Sequence, residues 1–280
     1  MFDKISNSWR LVKASAAVLS ADKELMIFPI ISVIGTIIVT LTFAFPLFLS
    51  GLIETMLGGA GQIVGIIVLF LFYMVQYFVI FFCNTALVGA ALIRLNGGDP
   101  TVGDGFRIAL KHAPSILGYA LISATVGMIL RWLSERGGML GRIVVSLIGF
   151  AWNIATYLVV PVLVVEEVGP VEAIKRSAGL LRKTWGEQLV GNFGLGAVFG
   201  LITFGLILLM IPLIMVAAAL ENFVLIIGVI VLFVMGFVLL GLVNSALSGI
   251  YAAAVYNYAA NGKTGDFFDP ALIKNAFRSK

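Results

Sequence analysis

Three asparagines stand where a polar side chain has to be accounted for. Asn84, Asn153 and Asn244 each lie inside a long apolar run. Their frames are Asn84-Thr85-Ala86-Leu87-Val88-Gly89, Asn153-Ile154-Ala155-Thr156 and Asn244-Ser245-Ala246-Leu247-Ser248-Gly249. A carboxamide in hydrocarbon needs partners, and contacts between helices supply about 0.6–2 kcal/mol each. Two readings stay open: the amides tie helices together, or they meet at a common junction and coordinate a polar solute. Small residues one turn apart, at Thr85/Gly89, Gly196/Gly200 and Gly241, Ser245, Gly249 and Ala253, suit close helix approach in either case.

Ionisable groups offer less chemistry. The middles of the apolar runs contain no Asp, Glu, Lys, Arg or His, the residues that mark function at membrane depth. His112 has no second His or nearby Glu to form a metal pair. Cys83 has no candidate base and reads as an inert small hydrophobe. Glu166 and Glu167 read as a solvated charge cluster facing Lys175 and Arg176. Gly97-Gly98 and Gly137-Gly138 lack the strand–loop–helix setting of a phosphate loop. A single Cys and a single His exclude a disulfide scaffold and the usual zinc sites. No catalytic residue, cofactor or metal is expected, and the chain reads as non-enzymatic.

The elements that position the asparagines follow from composition. Of 280 residues, 61 % are hydrophobic and 11 % charged, against roughly 45–50 % and about 25 % in ordinary globular chains. The mean hydropathy is +1.11, so lipid must be the main solvent. A net charge of +4, scattered at segment ends, offers no nucleic-acid surface. One bilayer-spanning helix needs about 20 apolar residues. Six runs qualify, at about 25–49, 63–92, 114–133, 143–165, 189–220 and 223–256. Their continuity rules out the alternating pattern of a barrel. The fold class is therefore all-α, a polytopic membrane helical bundle of six spans in one domain, 1–280. The first run is too long for a signal peptide's apolar core of about 7–15 residues and reads as a retained span.

Orientation follows from the basic residues. Fifteen of the 18 Lys and Arg fall on the side that carries both termini; only Arg131, Arg136 and Arg142 fall opposite. Both termini are thus expected to be cytoplasmic. Segments on that side are amphipathic. In the first, residues 1–20, Phe2, Ile5, Trp9, Val12, Ala16 and Leu19 share a helical face, with Lys4, Arg10 and Lys13 elsewhere. At 170–189, Val171, Ile174, Ala178, Leu181 and Trp185 form the apolar stripe. Lys175, Arg176, Arg182 and Lys183 lie beside it, and Pro170 suits the helix start. A shorter copy carries Arg107 and Lys111 after an expected N-cap at Asp104. Another closes the chain at 266–280, where Asp269-Pro270 precedes Leu272, Ile273, Ala276 and Phe277. Basic amphipathic helices of this kind lie in the membrane interface against anionic head groups. Capping the bundle as ordinary packing, docking a protein partner, or meeting a second copy are the alternatives.

The asparagine frames also indicate a repeat. Asn96-Gly97 with Asp104, and Asn261-Gly262 with Asp269, follow spans two and six at matching distances. The unit is a helical hairpin with an interfacial helix, used three times with one topology, which implies an approximate threefold axis along the membrane normal. Mitochondrial carriers are excluded, because Pro29, Pro46, Pro161 and Pro212 are each followed by an apolar residue instead of that family's acidic signature.

Phe2 to Trp9 with Arg10 and Lys13, then Asp22-Lys23-Glu24-Leu25 running into Phe28-Pro29 and a closing segment from Leu272 to Phe277, resemble a family of prokaryotic multi-pass membrane proteins of unknown function. More distantly, the chain is similar to the membrane domains of some glycerophosphodiester phosphodiesterases. The resemblance implies a prokaryotic plasma (inner) membrane and hands over no functional residue. Two functions stand. The first is membrane organisation or partner binding through Trp9, Arg10, Lys13, Arg107, Lys111, Lys175, Arg176, Arg182 and Lys183. The second is transport of a small solute or lipid through a junction of Asn84, Asn153 and Asn244.

Overall fold

The structure, a computed structural model, describes residues 2–49, 61–185 and 194–274. Every regular element among them is helical. Helix α1 (Phe2–Ala21) leads through a 3₁₀ turn (Lys23–Met26) into α2 (Ile27–Leu49), and α3 (Gly61–Leu95) completes the first hairpin. The short α4 (Val102–Lys111) follows. A second hairpin is built from α5 (Ala113–Arg136), α6 (Gly138–Ala155) and α7 (Val159–Glu166), with α8 (Pro170–Trp185) after it. The third pairs α9 (Gly194–Ala219) with α10 (Phe223–Asn261) and ends in α11 (Pro270–Lys274). Six stretches are long and apolar enough to cross a membrane: α2 with its 3₁₀ turn, α3, α5, α6 with α7, α9 and α10. The chain is a multi-pass membrane protein with the expected order of hairpin and short helix.

Sequence explains how the elements start and stop. Thr101, not Asp104, is the N-cap of α4. Its hydroxyl accepts from the Asp104 N–H at 3.2 Å, and the Asp104 carboxylate accepts from the Thr101 N–H at 3.0 Å. Asp104 therefore sits at N3 of a capping box, where a carboxylate serves the cap from inside the first turn. Gly97 and Gly262 follow α3 and α10 with φ of +85° and +69°, the left-handed conformation that ends a helix. Helix α8 opens at Pro170.

The core occupies one end of the bundle. Leu11 and Val18 of α1, Phe28 of α2, Ala86 to Ala91 of α3, Leu158 to Leu163 and Ile250 to Tyr256 are buried against one another at the end that carries both termini. The other halves of α2, α3, α6, α9 and α10 expose large apolar side chains such as Ile38, Ile66, Leu147, Leu208 and Leu232. Lipid tails are as apolar as these side chains, so the outer half gains little from burying them. Helix α3 is central and packs on α2, α4, α5, α7 and α10; α9 packs on α10 and α1.

Two amphipathic faces are those expected only in part. On α1, Val12 is buried and Ala16 and Leu19 pack on the core as expected, but Trp9 is 46 % exposed, and Leu11, Ala14, Ser15 and Val18 complete the buried face against α9 and α10. On α8, Leu181 is buried and Ile174 packs on the core as expected, whereas Val171 is exposed and Ala173, Ser177 and Leu180 face inward. The small Ala14, Ser15, Ala173 and Ser177 let a helix axis approach its neighbours. The side chains of Phe2, Ile5 and Trp185, the start of span five at 189–193 and the C-terminal residues from 275 lie outside those described.

Candidate functional site

A cavity of about 380 Å³ lies within the bundle, between α2, α3, α10 and the turn joining α6 to α7. Asn84 and Ile80 contribute from α3, Phe28 and Ser32 from α2, and Asn244, Ser245 and Ser248 from α10. Asn84 and Asn244 thus line one cavity from facing helices. Asn153 does not join them. It lies exposed on α6, where no residue is buried, and Tyr157 one turn later lines the cavity instead.

The reason is a break in span four. Thr156 to Leu158 form a turn between α6 and α7. The Tyr157 and Val159 N–H groups bond three residues back, to Ile154 and Thr156, both at 3.1 Å. Pro161 supplies no N–H to the fourth residue before it, which is Tyr157. The buried Ser177 hydroxyl of α8 accepts from the Leu158 N–H at 3.0 Å, satisfying a donor the break releases. The helix re-aims at this point, so a side chain before the break cannot share a face with those after it. A proline four residues after a tyrosine was the signal in the sequence.

Close approach of α3 and α10 shapes the back wall. A Cβ built on Gly249 would lie 2.5 Å from Leu87 Cδ2 and 3.2 Å from Asn84 Oδ1. The other small residues fare differently. A Cβ on Gly196, Gly200 or Gly241 meets open space, and Ser245 is exposed. Only the half of the α10 series nearer the termini makes the expected helix contact.

Asn84 makes no hydrogen bond among the described residues, and Asn244 only accepts a long one, 3.5 Å, from the Ser248 hydroxyl. Gln76, about two turns outward from Asn84 on α3, contrasts with them. Its amide donates to the Thr36 carbonyl at 3.1 Å and to the Thr40 hydroxyl at 2.7 Å, tying α3 to α2. The Ser32 hydroxyl lies against the Cys83 thiol. None of the cavity's lining residues is charged. No three of the His, Cys, Asp and Glu side chains come together among the described residues.

The basic residues expected to form the interface divide into two sets. One set is engaged internally. Arg176 Nε lies 2.8 and 3.0 Å from the two Glu166 oxygens, and Glu166 also accepts from the Tyr256 hydroxyl at 3.1 Å. Lys111 pairs with Glu167, Arg107 with Asp104, and Arg10 with Asp269 at 3.7 Å. The Arg176 and Lys111 pairs link α8 and α4 to the end of span four, Arg10 joins α1 to the start of α11, Arg107 pairs within α4, and Arg94 bridges Asp22 at 3.4 Å and Asp99. Glu166 thus faces Arg176 as its spacing suggests, but Glu167 meets Lys111 of α4 instead of Lys175 or Arg176. The second set, Lys13, Lys175, Arg182 and Lys183, is exposed and makes no ion pair among the described residues, although Lys13 lies 6.0 Å over the Trp9 ring.

Titration follows these contacts. Burial, reinforced by the adjacent Lys111 ammonium, pushes the His112 imidazole below its ordinary value, and Glu167 pulls weakly the other way. The hydrogen bond and charge of Lys111 hold the Glu167 carboxyl low. Bonds from the Thr101 hydroxyl and backbone do the same for Asp104. Each carboxylate ion is stabilised by a donor that the neutral acid could not use as well. Side-chain amides also join α10 to the end of α3: Asn257 donates to Asn96 at 3.4 Å, and Asn261 donates to Asn257 at 3.0 Å.

No curated protein matches the chain. A family model does, over residues 63–268, a stretch that runs from the start of α3 to the loop before α11 and takes in the whole Asn84, Tyr157 and Asn244 arrangement. The protein belongs to DUF6159, a family of unknown function.

Proposed function

We propose that this is a non-enzymatic membrane protein that takes a small solute or lipid head into the cavity between α2, α3 and α10 and moves it across or along the membrane. The observation that carries this reading is the pairing of Asn84 and Asn244 in one cavity, with the Asn84 amide lacking a hydrogen bond among the described residues. An amide kept in hydrocarbon without a partner is costly, and a bound polar group supplies what it lacks. Full-length protein in liposomes tests it by stopped-flow swelling with glycerol, urea and potassium chloride, and by scrambling of a fluorescent phosphatidylcholine. Passage of at least one probe above protein-free vesicles, lost in Asn84→Leu and Asn244→Leu, supports the reading. Permeability equal to protein-free vesicles for all four sinks it.

A second reading rests on Lys13, Lys175, Arg182 and Lys183, which stay exposed when Arg10, Arg107, Lys111 and Arg176 are engaged internally. These four groups suit anionic head groups or an acidic partner. Charge reversal at Lys175, Arg182 and Lys183 then lowers the enrichment of phosphatidylglycerol around the protein in nanodiscs. Enrichment that ignores both the substitutions and added salt removes this reading.

The excess of Lys and Arg on the terminal side supports cytoplasmic termini. Cysteines introduced near residue 2 and residue 280 should resist an impermeant maleimide added to intact cells.

A further inference from the structure

We infer that the cavity selects an uncharged, hydroxyl-rich group of up to about sugar size, an inference that rests on the binding site proposed above. Two carboxamides and the hydroxyls of Ser32, Ser245 and Ser248 reach the cavity from three sides, and no charged side chain does. Amides and hydroxyls donate and accept alike, which matches a group whose own oxygens do both. A net charge would enter a site with no counter-charge, at the desolvation cost that keeps ions out of low-dielectric interiors. Size argues against a bare monovalent cation. About 380 Å³ is the room of roughly a dozen waters at about 30 Å³ each, and falls within the range of small-molecule pockets. Phe28, Ile80 and Leu87 add apolar walls suited to the C–H faces of a polyol.

Access favours no closed vault. Ser245 lines the cavity and is exposed at the bundle surface, on a helix whose Val238 and Leu239 are exposed to the surroundings, opposite a helix that exposes Ile30 and Ile31. The polyol can therefore arrive free or as the head of an uncharged lipid, and the chemistry recognised is the same.

Full-length protein in phosphatidylcholine nanodiscs separates these cases. One arm measures retention of radiolabelled sorbitol against gluconate, its carboxylate counterpart. The other measures retention of monoglucosyl diacylglycerol against phosphatidylglycerol, by native mass spectrometry. The expected result is that a neutral probe is retained at least tenfold better than its charged counterpart in one arm, which identifies the source. Asn84→Leu and Asn244→Leu should lower that retention at least tenfold. Ser245→Phe, at the exposed mouth, should do so as well and serves if the asparagine variants fail to assemble. Equal or better retention of the charged partner overturns the selectivity while leaving a binding site in place. Neutral retention that ignores Ser245→Phe and both asparagine variants overturns the assignment to this cavity. Retention of none of the four probes overturns the inference, and the liposome fluxes then decide the reading beneath it.

Discussion

Leu87 of α3 fills the notch that Gly249 leaves in α10: a Cβ at 249 would stand 2.5 Å from Leu87 Cδ2 and 3.0 Å from its Cγ. Both residues also line the cavity, so the same contact sets helix spacing and the position of Asn84 against Asn244. The far end of a leucine can turn aside, but not without losing core contacts. Gly249→Ala should therefore destabilise by about 1–3 kcal/mol, the usual cost of overpacking, seen as a lower midpoint of unfolding in detergent. Adding Leu87→Ala should recover part of the loss, because the two substitutions act on one contact. Full additivity of the two effects would contradict the packing.

The Ser177 hydroxyl is the partner for the Leu158 N–H at the break in span four, and both residues are fully buried. Ser177→Ala leaves that donor unsatisfied at a cost of about 1–3 kcal/mol. A Tyr157 displaced from the cavity should accompany it, read as altered tyrosine ultraviolet absorption. An unchanged stability in Ser177→Ala would mean that the break is satisfied by other means.

His112 gives the protein a pH dependence whose sign is fixed. Its imidazole is depressed in the folded state below the ordinary value of 6.5, so folding favours the neutral form. The corresponding stability is complete above about pH 6.5, the value that applies unfolded, and is lost as pH falls through the folded value. Lys111, which repels the imidazolium, and Glu167, which attracts it, are the charged groups beside it. The midpoint of thermal unfolding should fall between pH 7 and pH 5, and His112→Gln should flatten that slope. The Glu167 carboxyl, held low by Lys111, adds a further loss only in more acid solution, below about pH 4.5.

Glu166 serves both Arg176 and Tyr256, tying α8 to α10 through the end of α7. Arg176 is 51 % exposed on its side chain, so solvent screens the pair. Arg176→Gln should cost no more than about 1 kcal/mol. Glu166→Gln, at a group 22 % exposed, should cost more, because it weakens two contacts at once. Unfolding in detergent at low and high salt distinguishes them: the Arg176 effect fades with salt, and the part due to Tyr256 does not.

The six spans were legible because length and apolarity suffice for them; even the ends of α3 and α5 lie within a few residues of the runs read from sequence. Local signals were legible in part: Pro170 marks the start of α8 through its own missing N–H, whereas the N-cap expected at Asp104 falls three residues earlier, at Thr101. The asparagine junction was half legible. Asn84 and Asn244 lie on uninterrupted helices, so their spacing from the helix ends carries through to the fold. Asn153 precedes a break whose size depends on Ser177, nineteen residues after Leu158. Likewise, Ser32, Ser248 and Tyr157 are ordinary residues until α2, α10 and the turn bring them to one cavity.

Composition and periodicity alone thus determine that the chain crosses the membrane six times and that basic amphipathic helices gather at the end with the termini, because lipid imposes the same demand on every span regardless of its neighbours. Tertiary structure decided which faces are buried, which arginines and lysines are bound internally and which two of three asparagines meet. Those outcomes depend on how closely one helix can approach another, and at Gly249 and Gly105 that is settled by the shape of a partner far away in the chain, Leu87 and Phe28 respectively.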